Sequence, residues 1–429
     1  MLHPEIVLFS GFNYQVMKQA FYLLLVFYVS IASCQVDSDT RSKQIIQDRQ
    51  NTEWAQSQDY VLMISIDGFR HDYAEKFNAT NILKLEKEGV AADQLIPSFP
   101  SKTFPNHFTL ITGLLPGNHG LVGNSFYSRS KKGWYRISDK SAVRDPSWYT
   151  GTPLWTLAEM QGMLSASFFW VGSEAPIKNI LPTYLYPYDG SVPNAFRIQQ
   201  VIEWLKLPEE VRPHMITAYF SLVDDAGHEY GPDAEETKEA VLEVDRLVGQ
   251  LMAEVAQMGL PVHVVLVSDH GMSTIDQGLV LPDLVDLDNA KVSYSFPPMI
   301  YQEDEVKREK LYQELLSIDA IDVYTQETLP EYLIFKNEDR LGDIILHTEA
   351  PVIIQEKPYT VSGGTHGFNP YTNDEMGAIF YAKGPKIKQG LTLPPVENIH
   401  VYPFVAHLLG LKITEPIDGK LAPLAPALK

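Results

Sequence analysis

The chain has 429 residues, 45% hydrophobic and 21% charged, a composition that excludes a disordered, collagen-like or coiled-coil protein. Its 54 acidic residues outnumber 34 basic ones, for a net charge of −20, which excludes a non-specific nucleic-acid binder because a phosphate backbone demands a positive footprint. The single cysteine, Cys34, excludes an internal disulfide framework and any multi-cysteine metal site, so a metal here must be held by histidines and carboxylates.

Ala20–Ser33 is an almost unbroken apolar stretch. It is short for a membrane span of about 20 residues but suits the core of a signal peptide, with Lys18 as its positive flank and Met17 where such a peptide would begin. The stretch ends Ile31-Ala32-Ser33-Cys34, which resembles a bacterial lipobox. Residues 1–34 are therefore expected to be a signal segment, with a lipid anchor at Cys34 and export to the periplasm or outer membrane of a bacterial envelope. An ordinary signal-peptidase site, with Cys34 an incidental thiol, is the alternative. Residues 35–58 read as a polar linker with no apolar period.

From Tyr60 onward short apolar runs alternate with amphipathic segments of helix length, the pattern of an α/β domain, here over residues 59–429. The spacing predicts core strands at 60–66, 165–170, 215–223, 262–267 and 377–382, and helices at 81–88, 234–258 and 401–409. Residues 279–361 differ in texture: strand-like at 292–296, helix-like at 304–317, then strand-like at 331–335 and 343–348. They read as a small α+β lobe inserted late in the domain.

Several of the predicted strands end in carboxylates: Asp67, then Asp224 with Asp225, then Asp269 with His270 beside it. In open α/β sheets the carboxyl ends of the strands form the crevice where ligands bind. A lone Asp there is ordinarily a turn or capping residue. Here His228 follows Asp224 by one short turn, and His366 stands in the loop Gly363-Gly364-Thr365-His366-Gly367. Three Asp with three His suggest two adjacent divalent ions, with Zn²⁺ favoured by the donor types. The run Phe99–His107 adds Thr103, just before Pro105 and a helix-length stretch to Thr112. Thr103 would lie at a helix N-terminus, either as a metal-activated nucleophile or as no more than an N-cap. Sequence physics leaves both open.

Together, Asp67-Gly68, Lys102-Thr103-Phe104-Pro105-Asn106-His107, Thr112-Gly113, His119-Gly120, Asn124, Asp224-x-x-Gly227-His228-x-x-Gly231-Pro232, Ser268-Asp269-His270-Gly271 and His366-Gly367 resemble the nucleotide pyrophosphatase/phosphodiesterase family of the alkaline phosphatase superfamily. The match runs in order from about Tyr60 to His366 and beyond. The resemblance implies an alkaline-phosphatase-like central sheet flanked by helices and two Zn²⁺ per chain. One ion would be held by Asp224, His228 and His366, the other by Asp67, Asp269, His270 and the Thr103 oxygen. It implies zinc-dependent hydrolysis of nucleotide phosphodiesters and pyrophosphates to nucleoside 5′-monophosphates through a phospho-threonine at Thr103, with Asn124 donating to a phosphate oxygen.

Asp225 falls outside the resembling set and is expected either to support a ligand or to face solvent, while His107 and His119 are expected to be structural or to support the ligands. Neutral Asn124, where a monoesterase would carry a cation, favours diesters; Lys102 and Arg70 stand close enough in sequence to act as clamps. Phe104, Trp170, Glu174, Tyr188 and Tyr219 lie in segments resembling those that line the family's nucleotide pocket, where aromatic faces stack a base. A choline-headgroup phosphodiesterase, using the same aromatics with Glu174, is the alternative. An inactive ligand-binding homologue is a third reading, against which the intact ligand set argues. No specific nucleic-acid partner is expected.

Overall fold

The computed structural model describes residues 43–429, so the expected signal segment, Cys34 and the first part of the expected linker lie outside the described residues. Among these, the continuous apolar runs form the middle of a nine-stranded mixed sheet. In chain order its strands are β1 (Ile45–Ile46), β2 (Tyr60–Ile66), β3 (Val90–Ala92), β4 (Ser165–Phe168), β5 (Tyr184–Tyr186), β6 (Met215–Phe220), β7 (Val262–Val267), β8 (Phe380–Lys383) and β9 (Leu391–Leu393). Their spatial order is β1-β5-β4-β6-β2-β7-β8-β3-β9. The stretch β5-β4-β6-β2-β7 is parallel throughout, and β1 and β8 pair antiparallel at its two sides.

Central parallel strands are covered on both faces, which is why β2 and β7 are buried at every position and read as apolar runs, broken only by Ser65 and His263, instead of alternating ones. Alternate side chains feed two separate cores. Val61 and Met63 pack with Phe108 and Ile111 of α2 (Thr103–Thr112) and with Val401 and Phe404 of α6 (Val401–Leu408). Leu62, Ile64 and Ile66 pack with α1 (Thr80–Glu88), α3 (Asn194–Leu205) and α5 (Glu235–Gln257). Helix α5 buries Val241, Val244, Val248, Leu251 and Val255, one face at helical spacing, and leaves Glu235, Glu236 and Glu239 in solvent.

Three expectations are corrected. From Lys43 on, the expected polar linker is folded onto the domain: β1 pairs with β5, and buried Asn51 donates to Glu209 O and Arg212 O and accepts from Leu164 N–H. Its polar side chains are held by hydrogen bonds to distant loop carbonyls, such as Arg49 to Leu181 O and Asn51 to Glu209 O, which need no apolar period. The strand expected over 215–223 stops at Phe220, and Leu222–Val223 begin a helix, α4 (Leu222–Tyr230), that carries Asp224 and His228. Residues 331–335 form a 3₁₀ turn at Glu331–Leu333, ended by Ile334 at φ 47°. Within residues 279–361, a four-stranded antiparallel sheet packs its own apolar cluster around Leu311, Leu315, Ile344 and Leu346. Arg340 joins this sheet to the rest, its Nη1 donating to Gly120 O at 2.6 Å and Trp148 O at 2.7 Å.

His119 is fully buried. Its Nδ1 accepts from Leu121 N–H at 3.1 Å, so Nε2 holds the proton and donates to Thr109 Oγ1 at 3.0 Å. Burial pushes its pKa down to about 3, and burial likewise pushes His214 down to about 4. An unfolded histidine titrates near about 6.5, so the unfolded chain takes up these protons first. The stability that neutral His119 and His214 contribute is complete above about pH 6.5 and declines as pH falls, down to about 4 for His214 and about 3 for His119. Urea midpoints should therefore drop steadily over that interval, with a shallower slope in His119→Gln. An identical slope in the variant would contradict this.

Candidate metal centre and adjoining pocket

Asp67 follows β2, Asp269 and His270 follow β7, and Asp224 and His228 ride on α4 just beyond β6. The three strands are neighbours in parallel register, with Ile66 opposite Phe220 and Ser65 opposite Val267, so their carboxyl ends deliver these groups to one place. Gly68 is required there. It sits at φ +66°, and a Cβ on it would lie 2.9 Å from the Asp224 side chain.

One oxygen of each carboxylate, Asp67 Oδ1, Asp224 Oδ1 and Asp269 Oδ2, is buried without a hydrogen-bond partner. For Asp67 and Asp269 the second oxygen is occupied: the Tyr219 hydroxyl donates to Asp67 Oδ2, and Gly68 N–H donates to Asp269 Oδ1 at 3.2 Å. Uncompensated buried carboxylates cost several kcal/mol each unless a cation meets them. The imidazoles complete the fit. His228, His270 and His366 each donate Nδ1–H to a backbone carbonyl, of Gly364 at 2.8 Å, Gly271 at 2.9 Å and Ser101 at 2.8 Å. A carbonyl can only accept, so the proton is fixed on Nδ1 and each Nε2 is left as a lone-pair donor. Among the described residues two sets can hold a metal ion: Asp67, Asp269 and His270, and Asp224, His270 and His366. His228 stands at the rim, 39% exposed, its Nε2 3.5 Å from Asp224 Oδ2.

The electrostatics bear the same mark. Burial, with the Asp269 and Asp224 anions, pushes the Asp67 carboxyl well above its usual range. Burial also acts on Asp269, but the His270 and His107 imidazoles outweigh it and hold that carboxyl below the range. His366 is driven well below its ordinary value by burial, His270, Lys102 and His228.

Thr103 is the first residue of α2, and the N-cap is Lys102 in extended conformation, so the capping alternative for Thr103 does not hold. The Thr103 hydroxyl lies 3.3 Å from His270 Nε2. Phe104 N–H donates to Asn124 Oδ1 at 3.0 Å, which frees the Asn124 Nδ2 to donate elsewhere. His107 is fully buried and lies between the centre and the core. Its Nε2 meets Ser65 Oγ at 2.8 Å, and its Nδ1 lies 3.0 Å from Thr103 O and 3.2 Å from Asp269 Oδ2. Lys102 lines the site with its Nζ donating to His366 O at 3.2 Å, and burial lowers its pKa to about 8. Arg70 is committed to Asp72, Glu375 and Met272 O. Asp225 is exposed.

A cavity of about 460 Å³ adjoins Thr103, Asn124 and the metal residues. Phe104, Phe169, Trp170 and Tyr188 contribute to its wall. The expected pocket residues play different parts. Tyr188 is 47% exposed and free to meet a ligand. Trp170 is buried, donating Nε1–H to His107 O at 3.0 Å, and Tyr219 spends its hydroxyl on Asp67. Glu174 accepts from Tyr188 N–H at 2.8 Å and from Arg144 Nε at 2.8 Å, so it braces the wall. Phe169 is held at φ +68°, a sparsely populated region for a bulky residue and the kind of strain that gathers at binding sites. Ile137 and Val143 also line the cavity and carry no signal in the sequence that separates them from core residues.

Fold and site together define an alkaline-phosphatase-like α/β domain whose His and Asp groups can bind metal. Residues 61–369 match the family described as type I phosphodiesterase / nucleotide pyrophosphatase, and the chain belongs to that family. It is 34% identical over 392 residues to mouse ectonucleotide pyrophosphatase/phosphodiesterase family member 1, covering 86% of this chain and 42% of that protein. It is 33% identical over 388 residues to venom phosphodiesterase CdcPDE of Crotalus durissus collilineatus, covering 86% of this chain and 46% of that one. The chain thus spans less than half the length of these relatives. Among solved structures, an inactive threonine-to-alanine variant of murine ectonucleotide pyrophosphatase/phosphodiesterase 5, in complex with AMP, matches with a TM-score of 0.82 and 28% identity. That match covers 87% of this chain and 100% of the murine one.

Partners that orient a ligand typically govern metal affinity by 10–100-fold. Tyr219→Phe, which takes the hydroxyl from Asp67, should weaken binding of a divalent metal by roughly that factor with the circular dichroism spectrum unchanged, as read by competition with a chromogenic chelator. Unaltered affinity would contradict the assignment of Tyr219 to the metal centre.

Proposed function

We propose that the chain hydrolyses nucleotide phosphodiesters and pyrophosphates to nucleoside 5′-monophosphates, with two zinc ions and a transient phospho-threonine at Thr103. The observation that carries this reading is the cavity of about 460 Å³ lined jointly by Thr103, Asn124 and the aromatic residues Phe104, Phe169, Trp170 and Tyr188. Zinc, held by Asp67, Asp269, His270 and Thr103 and by Asp224, His228 and His366, would supply charge stabilisation on the phosphoryl oxygens and acidify the threonine hydroxyl.

The chain's own groups account for the rest. Thr103 Oγ1 forms a bond to phosphorus as the bond to the leaving alcohol or phosphate breaks, and water then cleaves the threonine ester and restores the hydroxyl. Asn124, oriented by Phe104 N–H, donates Nδ2–H to a non-bridging oxygen. The N-terminus of α2 adds a favourable dipole at the same oxygens. Phe104 and Tyr188 take the base between them, each contact contributing about 1–3 kcal/mol.

The AMP bound by the murine relative supports a nucleoside-sized occupant. The choline reading needs an unspent carboxylate, and Glu174 is engaged with Arg144 and Tyr188 N–H, which weighs against it. Relatives named as ectoenzymes and venom enzymes support export of this chain as well. Anchoring to a bacterial envelope through a lipid on Cys34 belongs to the same proposal. Among the described residues no helix is long and apolar enough to cross a membrane.

Wild-type enzyme should cleave p-nitrophenyl thymidine 5′-phosphate faster than p-nitrophenylphosphocholine or p-nitrophenyl phosphate. Thr103→Ala should abolish turnover of all three while keeping the melting temperature. A preference for the phosphocholine ester would replace the nucleotide reading with the choline one, and near-wild-type rates in Thr103→Ala would remove the covalent step.

A further inference from the structure

Arg197 is a guanidinium only 2% exposed, on α3, behind the pocket and outside every motif that carried the functional reading. Burying such a charge is costly, so its partners indicate what it secures. Nη1 donates to Tyr219 O at 2.9 Å, at the end of β6. Nε and Nη2 both donate to Val192 O, at 3.2 and 3.1 Å, at the end of the loop that carries Tyr188. The guanidinium carbon lies 5.0 Å from the centre of the Phe169 ring and 5.8 Å from that of Phe220. The Phe169 ring in turn meets Tyr188 edge-on at 5.2 Å, and Tyr188 lies 6.3 Å from Tyr219. One planar fork thus ties together the Tyr188 loop, the strand end bearing Tyr219 and the strained Phe169, three pieces of wall that come from separate parts of the chain.

We infer that Arg197 is a positioning residue for the substrate's base: it holds Tyr188 and Phe169 in one rigid wall and so sets how tightly the nucleoside end is gripped, while leaving the chemistry at Thr103 alone. This rests on the nucleotide reading above. A lysine could replace the charge but not the fork that bridges two carbonyls, so the role belongs to arginine. Arg197 itself does not line the cavity, and its effect on substrate is transmitted through the two rings.

The test compares two esters with a shared leaving group, p-nitrophenyl thymidine 5′-phosphate and the base-free bis(p-nitrophenyl) phosphate, on the zinc-loaded full chain. For Arg197→Met we expect KM for the thymidine ester to rise about tenfold, within the range that stacking contacts allow, and kcat to change by no more than about twofold. Both constants for the base-free ester should stay at wild-type values. Arg197→Lys should show the same split at roughly a third of the size, and it carries the test if the methionine variant does not fold. Equal losses on both esters, or a KM for the thymidine ester that does not move, would overturn the role of Arg197 while leaving the nucleotide reading intact. Wild-type enzyme with no preference for the thymidine ester over the base-free one would instead overturn the nucleotide reading, and this role with it.

Discussion

Asp67, Asp224 and Asp269 bring like charges into a space largely closed to water, and each leaves one oxygen there with no partner. Folding alone does not offset that repulsion. It is tolerable only if a cation belongs in the site, because buried carboxylates of like sign otherwise take up protons or push apart. The surroundings are arranged around the same constraint. Gly68 lets Asp224 approach, Tyr219 and Gly68 occupy the second oxygens of Asp67 and Asp269, and three backbone carbonyls fix the tautomers of His228, His270 and His366.

The metal centre and the pocket are not separate modules. Trp170 lines the cavity and donates to His107 O, while the His107 ring faces Asp269 and sits edge-on to Trp170 at 5.3 Å and Tyr219 at 5.2 Å. Tyr219 in turn holds Asp67. The parallel sheet makes this possible, because β4, β6, β2 and β7 end at the same edge: Phe169 and Trp170 after β4 line the pocket, Asp67 and Asp269 after β2 and β7 stand at the metal centre, and Tyr219 near the end of β6 reaches both.

The sequence exposed those parts whose physics is local. Runs such as 60–66 and 262–267 are buried at every position because both faces are covered, and a carboxylate just past each run, Asp67 or Asp269, reaches the site. Where an apolar run crossed from one element to the next, as from Phe220 into Leu222–Val223, nothing in the pattern marked the change from strand to helix. Residues 43–58 read as a linker because their stabilisation comes from hydrogen bonds to distant residues such as Glu209 and Arg212. The roles within the pocket were the least legible. Trp170, Tyr188 and Tyr219 are all aromatics near one strand edge, and only packing separates the exposed ring from the two committed to His107 and Asp67.

The central claim is that the carboxylate cluster is completed by metal, and uptake of zinc by stripped protein tests it most directly. Calorimetric titration followed by metal analysis should find two zinc ions per chain, with a melting temperature that rises as the sites fill. Protein that binds no zinc, and melts at the same temperature with zinc as with chelator, would contradict the account.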